Sequence, residues 1–307
     1  MKNLFCVAPA LALSVAAHAA VSDPLTKPIV SDAATRWNQP QTPMRIYGNT
    51  YYVGVAGLSS VLIRGDEGSI LIDGDLPQSA AQIEAHIREL GFKLDDIKLI
   101  LNSHAHFDHA GGIAALQRDS GAEVAASPSS AKALRAGRVA GDDPQAGFAD
   151  NGFPAVARVR EIRDGETVRV GALAVTAHFT PGHTPGSTTW TWKSCENGKC
   201  LDVVYADSLT PISAPGFHFL ADATHADLVP SFRNSIRIVA ELPCDVLISA
   251  HPDVSGADRK LKELATKPAQ NPFIDPDACR AYAGIYTKAL DQRIAAEAQE
   301  AATSGSK

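Results

Sequence analysis

The sequence predicts an α+β fold in which two facing mixed sheets carry helices on their outer sides. Three observations point there. In each of two successive halves of the chain, strand-like segments precede helix-like ones. Hydrophobic residues make up 45% of the 307 positions, enough for a substantial core, and no short-period repeat is visible. Three histidine-bearing segments also share one plan, an apolar strand-like run with a histidine just beyond its C-terminal end. Loops at one edge of stacked sheets can bring such histidines together.

In chain order, Lys2, an apolar stretch over 4–16 and the small residues of Ala17-His18-Ala19 read as a signal peptide over residues 1–19, cleaved after Ala19. Cys6 lies too early for a lipoprotein-type site, and no later stretch is long and apolar enough to span a bilayer. The expectation is an exported, periplasmic protein. Residues 20–303 would form a single domain and 304–307 a disordered tail. A formal charge of -6 and the lack of a basic stripe exclude nucleic acid as a partner. A monomer acting on a small molecule is expected.

Residues 21–43 are polar and proline-spotted, an arm more than an element. Strands follow at 44–47, 50–55, 59–63 and 69–72, punctuated by Asn49-Thr50, Gly57 and Asp66-Glu67-Gly68. Pro77 opens a helix that stops at Gly91. A buried strand at 97–101 leads to a helix at 110–121, then a strand at 123–126 and a helix at 128–136. Residues 137–154, rich in Gly, Pro, Asp and Asn, read as a long functional or mobile loop whose contacts the sequence does not give. The second half offers strands at 156–162, 167–170, 173–180, 188–192 and 202–205. A helix at 224–242, a strand at 246–249 and helices at 258–265 and 277–300 complete it.

The chemistry is concentrated in His104-Ala105-His106-Phe107-Asp108-His109, which packs three imidazoles and a carboxylate into six residues directly after a strand. His104 and His106 are two apart, a spacing that shares a face only in extended chain. Zinc suits such a set, because it takes neutral imidazole and carboxylate oxygen. A dinuclear site needs more ligands. His183, in Thr180-Pro181-Gly182-His183-Thr184-Pro185-Gly186, and His251, in Ser249-Ala250-His251-Pro252, both follow strands. His86, His178, His218 and His225 read instead as solvated or hydrogen-bonded histidines. Four cysteines remain once a signal is removed, which suggests disulfides in an oxidising compartment and allows three connectivities. Cys195-Glu196-Asn197-Gly198-Lys199-Cys200 looks like a clipped hairpin, leaving Cys244 to pair with Cys279. A zinc site made of all four is disfavoured, since no CxxC spacing is present.

The HxHxDH run with the GHTPG turn and a late histidine resembles the metallo-β-lactamase superfamily over nearly the whole mature chain. Within it, Tyr47-Gly48-Asn49-Thr50, Tyr52-Val53-Gly54, Trp190-Thr191-Trp192 and Tyr205-Ala206-Asp207-Ser208-Leu209-Thr210 resemble subclass B3 most closely. The resemblance implies an αββα sandwich with two zinc ions at one edge of the sheets. It implies His104, His106 and His183 on the first zinc and Asp108, His109 and His251 on the second. Lactamases of the largest subclass place a cysteine ligand near Ser208. This chain has none there, so Ser208 and Thr210 are implied to hold a substrate carboxylate. In thioesterase relatives such as glyoxalase II an aspartate bridges the metals, but the setting of Asp207 resembles the lactamases, and it is expected not to ligate. Asp73 would either accept the outer N–H of a ligating imidazole or form a turn before Gly74.

The implied activity is hydrolysis of the β-lactam amide bond by a metal-bound hydroxide, oriented by Asp108, over a broad range including carbapenems and conferring antibiotic resistance. A lactonase or thioesterase of the same fold is the alternative, distinguished by Asp207 bridging the metals. A non-catalytic periplasmic zinc-binding protein would need a closed coordination sphere.

Overall fold

The computed structural model describes residues 23–149, 151–223 and 225–304; the proposed signal peptide and the last three residues of the tail lie outside them. The chain forms two mixed sheets, face to face, with helices on both outer sides. The arm is more ordered than the sequence suggests. It carries α1 (Asp32–Trp37), which starts where the Ser31 side chain accepts the Ala34 N–H. The first sheet holds β1 (Met44–Tyr47), β2 (Thr50–Tyr52), β3 (Val61–Arg64), β4 (Ser69–Ile72), β5 (Ile97–Leu101), β6 (Glu123–Ala126) and β7 (Val159–Glu161), in that spatial order. β1 to β4 pair antiparallel; β4 to β7 pair parallel. The second sheet runs β12 (Val246–Ser249), β11 (Lys199–Ala206), β10 (Thr188–Glu196), β9 (Leu173–Phe179), β8 (Thr167–Val170), with β11 and β12 parallel and the rest antiparallel.

Alternation along the strands explains the layering. Val61, Ile63, Ile70, Ile72, Leu99 and Leu101 face Val175, Trp190, Val203, Tyr205 and Ile248 across the inter-sheet core. The intervening Leu62, Leu71 and Ile100 point outward, under α2 (Ala80–Glu89), α4 (Ile113–Ser120) and α5 (Pro128–Ala136). On the other side Val204, Ala206 and Leu247 pack under α6 (Val229–Glu241) and α8 (Ala278–Ser304). α7 (Ala257–Ala265) follows β12 and sends Leu261 into the inter-sheet core. Strands buried on both faces read as near-continuous apolar runs, which is why they were legible.

The helix expected at 110–121 is broken. α3 (Phe107–Ala110) stops, and α4 begins after Gly112. The reason is a close backbone crossing: a Cβ on Gly112 would lie 2.2 Å from the Gly74 carbonyl oxygen. Gly112 N–H donates to Asp75 O, and Gly74 N–H to His109 O. The break lets the histidine turn lie against the 73–76 loop. Other boundaries moved too. The strand expected at 156–162 shortens to β7, and the helix expected at 224–242 starts only at Val229, with Pro230 in its first turn. α8 runs through Ser304, so that residue is helical and not tail.

Both disulfides form as read. Cys195 and Cys200 are register partners across the β10–β11 hairpin, whose Asn197 and Gly198 turn at φ 51° and 79°. Cys244, ahead of β12, joins Cys279 at the start of α8.

Candidate metal centre

The C-terminal ends of β4, β5, β9, β11 and β12 reach one rim of the sandwich. There the two sheets are stitched together: Thr188 N–H donates to Ser103 O at 2.8 Å, Ser59 N–H to Ala250 O at 2.9 Å, and the Tyr205 hydroxyl to Ser59 O at 2.6 Å. His104, His106, Asp108 and His109 come from the turn after β5, His183 from the rigid turn after β9, and His251 from just beyond β12. All six are brought together. His104, His106 and His183 offer ligand atoms within 4.8 Å of one another, as do His104, Asp108 and His109. His251 Nε2 lies 3.3 Å from His109 Nε2 and 3.4 Å from Asp108 Oδ2. Apart from half-buried His251, these side chains are buried.

Outer hydrogen bonds fix which ring nitrogen faces inward. His183 Nδ1 lies 2.8 Å from Thr210 O and His251 Nδ1 3.3 Å from Gly57 O. A carbonyl can only accept, so both Nδ1 atoms carry a proton, and in the neutral ring of His183 Nε2 keeps a lone pair. His104 Nδ1 donates to Asp207 Oδ1 at 2.7 Å, and its Nε2 is buried with no protein partner among the described residues. His106 is turned the other way: Nε2 meets the Asp143 carboxylate at 3.1 Å, leaving Nδ1 inward. Imidazoles oriented by outer acceptors, with the inward Nε2 of His104 left unpartnered beside the other rings, are what a zinc site needs, so the residues fit the metal.

The electrostatics agree. Burial holds the pKa values of His104 and His109 well below the ordinary histidine range and, with His104 and His106 beside it, pulls His183 down to about 3. These rings are neutral and ready to ligate. Burial would raise Asp108, but His109 and His251 outweigh it and keep the carboxylate ionised; that contact in turn raises His251 against its own burial.

Asp73 does not take an imidazole N–H. Its carboxylate accepts from Asn102 Nδ2 and from Ser103 N–H and Oγ–H, and it shares the one Tyr205 hydroxyl hydrogen with Ser59 O. It braces the backbone that leads into His104. The acceptor role falls to Asp207, whose Oδ1 is committed to the outer nitrogen of His104. Asp143 and Gln145, from the 137–154 loop, were not singled out from the sequence. Gln145 Nε2 lies 3.4 Å from His183 Nε2. Trp37 was missed as well: its ring sits 5.2 Å from that of His251. Only the unusual length and composition of the loop hinted at Asp143, and nothing local marked Trp37. Ser208 is buried beside Asp207, and the hydroxyl of half-exposed Thr210 donates to Tyr286 at 3.2 Å. The four other described histidines stay outside the cluster. His86 donates to Val53 O, His178 contacts Thr191 Oγ1, and His218 and His225 lie near Asp222.

The profile of the metallo-beta-lactamase superfamily matches residues 53–251. Among solved structures, the Rm3 metallo-beta-lactamase is 49% identical, with 88% of this chain and 99% of that one covered and a TM-score of 0.84. MEM-A1, a subclass B3 metallo-beta-lactamase isolated from a soil metagenome library, is 50% identical over 86% of this chain and 99% of its own, with a TM-score of 0.82. A curated relative, the hydroxyacylglutathione hydrolase of Anaeromyxobacter dehalogenans, is 31% identical over 48% of this chain. The match spans 45% of that protein, less than half its length.

Proposed function

The chain belongs to the metallo-beta-lactamase superfamily, grouped within it with subclass B3, and from that premise we propose that it is an exported zinc hydrolase that opens the β-lactam ring. The observation that carries the reading is the pair of ligand groups sharing one rim, with Asp207 turned away from them onto the outer nitrogen of His104. A thioesterase of this fold would need Asp207 to reach both groups. A hydroxyl stands at Ser208, where a thiolate would mark another lactamase subclass.

His104, His106 and His183 would hold one zinc ion, and Asp108, His109 and His251 a second. When bound, the pair supplies Lewis acidity for the amide carbonyl and a water acidic enough to attack it near neutral pH. The chain's own residues do the rest. Asp108, kept ionised by its two histidine neighbours, orients the attacking water by accepting one of its hydrogens. Asp207, Asp143 and Thr210 O hold three imidazoles in one tautomer each, so no proton has to be shed from them before ligation. Ser208 and Thr210 bind the substrate carboxylate through their hydroxyls. Trp37 forms an aromatic wall beside His251.

The proposed range is broad and includes carbapenems, with antibiotic resistance as the consequence. The protein acts as a periplasmic monomer; no described helix is long and apolar enough to cross a membrane. The test is hydrolysis of a carbapenem and a penicillin by purified protein, alongside metal analysis. Turnover that a chelator abolishes and added zinc restores is expected. Zinc-loaded protein that leaves both drugs intact but cleaves an acylglutathione thioester would replace this reading with the thioesterase one.

A further inference from the structure

α8 presents one polar stripe. Tyr282, Tyr286, Arg293 and Glu297 fall within about 60° of one another on a helix that turns about 100° per residue. All four grip a single connection, the chain between β11 and α6. Tyr282 donates its hydroxyl to Asp207 O at 2.9 Å. Tyr286 meets the Thr210 hydroxyl at 3.2 Å. Arg293 donates to Ser213 Oγ and Phe217 O, both at 2.8 Å, and pairs with Glu297 at 2.6 Å. Glu297 in turn accepts the N–H groups of Phe219 and Leu220. The start of α8 is tied by Cys279 to Cys244, so the stripe has a fixed origin.

At the head of this stripe, Tyr286 touches the side chain proposed to bind substrate. The Tyr286 ring is 5% exposed and packs edge-on against Tyr282, with centroids 4.9 Å apart. Its oxygen meets the Thr210 hydroxyl from a buried ring, while Thr210 itself is half-exposed. Building on the reading given under Proposed function, we infer that Tyr286 is a positioning residue for carboxylate recognition: it holds the Thr210 hydroxyl in the rotamer from which that hydroxyl donates to the substrate. In the free protein Thr210 donates to Tyr286. A hydroxyl carries one hydrogen and two acceptor sites, so the pair can reverse. When an anion arrives, the Thr210 hydrogen turns to it and Tyr286 donates to the vacated oxygen. Linked hydrogen bonds of this kind reinforce one another in a dry setting. Burial holds the Tyr286 phenol protonated, with its pKa above the ordinary value, so the hydrogen needed for the reversal is present.

The test is a double-mutant cycle on Tyr286→Phe and Thr210→Val, read with a carboxylate-bearing β-lactam, with the same β-lactam as its methyl ester, and with the hydrolysed product as an equilibrium ligand. Tyr286→Phe keeps the ring and removes one oxygen. On the free acid it should raise KM, and the product Kd, by about three- to tenfold, the effect of one neutral hydrogen bond. kcat and bound metal should stay within about twofold, since the mark of lost uniform binding is a KM effect. The ester should respond little, and Tyr286→Phe should add almost nothing in the Thr210→Val background. Equal effects on acid and ester, additivity with Thr210→Val, or no change in a wild type that hydrolyses β-lactams would overturn the inference alone. A wild type that hydrolyses none would overturn the functional reading as well.

Discussion

Asp207→Ala tests whether this carboxylate supports a ligand or is one. The bond removed is short and buried: Asp207 Oδ1 to His104 Nδ1 is 2.7 Å, and both side chains are at most 1% exposed. The Nδ1–H then loses its charged acceptor and keeps only the long contact to Ser103 Oγ at 3.4 Å. An unsatisfied buried donor costs about 1–3 kcal/mol. Spread over metal affinity, that is roughly five- to 150-fold, which brackets the about 10–100-fold seen when outer partners of metal-bound histidines are removed. Asp207→Asn should fall between wild type and Asp207→Ala. The amide still offers an oxygen to Nδ1–H, but a neutral acceptor is about half as strong as a charged one. The assay is zinc competition against a chromophoric chelator, with stoichiometry measured at saturating metal. Both variants should still reach the wild-type number of ions per chain, at higher free zinc. Unchanged affinity in Asp207→Ala would refute the reasoning. Loss of one ion per chain even at saturation would make Asp207 a ligand and move the thioesterase reading ahead.

His106→Ala removes one ligand nitrogen and strands the Asp143 carboxylate; hydrolysis should drop below detection and bound metal should fall, as read by elemental analysis. Ser208→Ala loses a hydroxyl bond to a charged acceptor, about 1.5–3 kcal/mol, so KM should rise roughly ten- to a hundredfold. Zinc content should stay at the wild-type level in steady-state samples of that variant, and kcat should fall less than kcat/KM. Burial alone would raise the pKa of Glu297, but the Leu220 N–H, Arg293 and the Phe219 N–H together hold it below the ordinary glutamate value. Its stabilising effect is therefore complete above the unfolded-state value and is lost as pH falls through the lower folded-state one. Glu297→Gln should lower stability at neutral pH by about 1–2 kcal/mol, and the gap to wild type should close in acid. Thermal melts at pH 7 and at pH 3 would show it, and a gap that widens in acid would contradict the assignment.

The layers and the histidine-rich cluster were legible because their signals are local. Buried strands such as Ile97–Leu101 announce themselves as apolar runs, and histidines placed directly after them inherit the strand ends. What the sequence hid is what acts across the fold. The helix break at Gly111-Gly112 depends on the Gly74 carbonyl, many residues earlier. Asp143 meets His106 only because a long loop folds back over the rim, and Trp37 reaches His251 only because the arm forms α1. Asp73 was the plausible acceptor by its place after a strand. Its four donors come from the backbone and side chains around Asn102, Ser103 and Tyr205 instead, which are unrelated in sequence spacing.

Residues 207–210 join the two tasks proposed for the site. Asp207 takes the outer proton of His104 and Thr210 O that of His183, so two imidazoles of one ligand group end on this segment. Ser208 and Thr210 stand on the same four residues. A displacement of the segment as a body would shift ligands and substrate anchor together, whereas a single side-chain change touches one alone. Asp207→Ala should therefore read out in zinc affinity and Ser208→Ala in KM, although the two residues are adjacent. Opposite signatures from neighbours would mean that the segment is a common support with separable roles. If both variants lost metal, Ser208 would be acting through the ligand sphere and its assignment to the substrate carboxylate would fall.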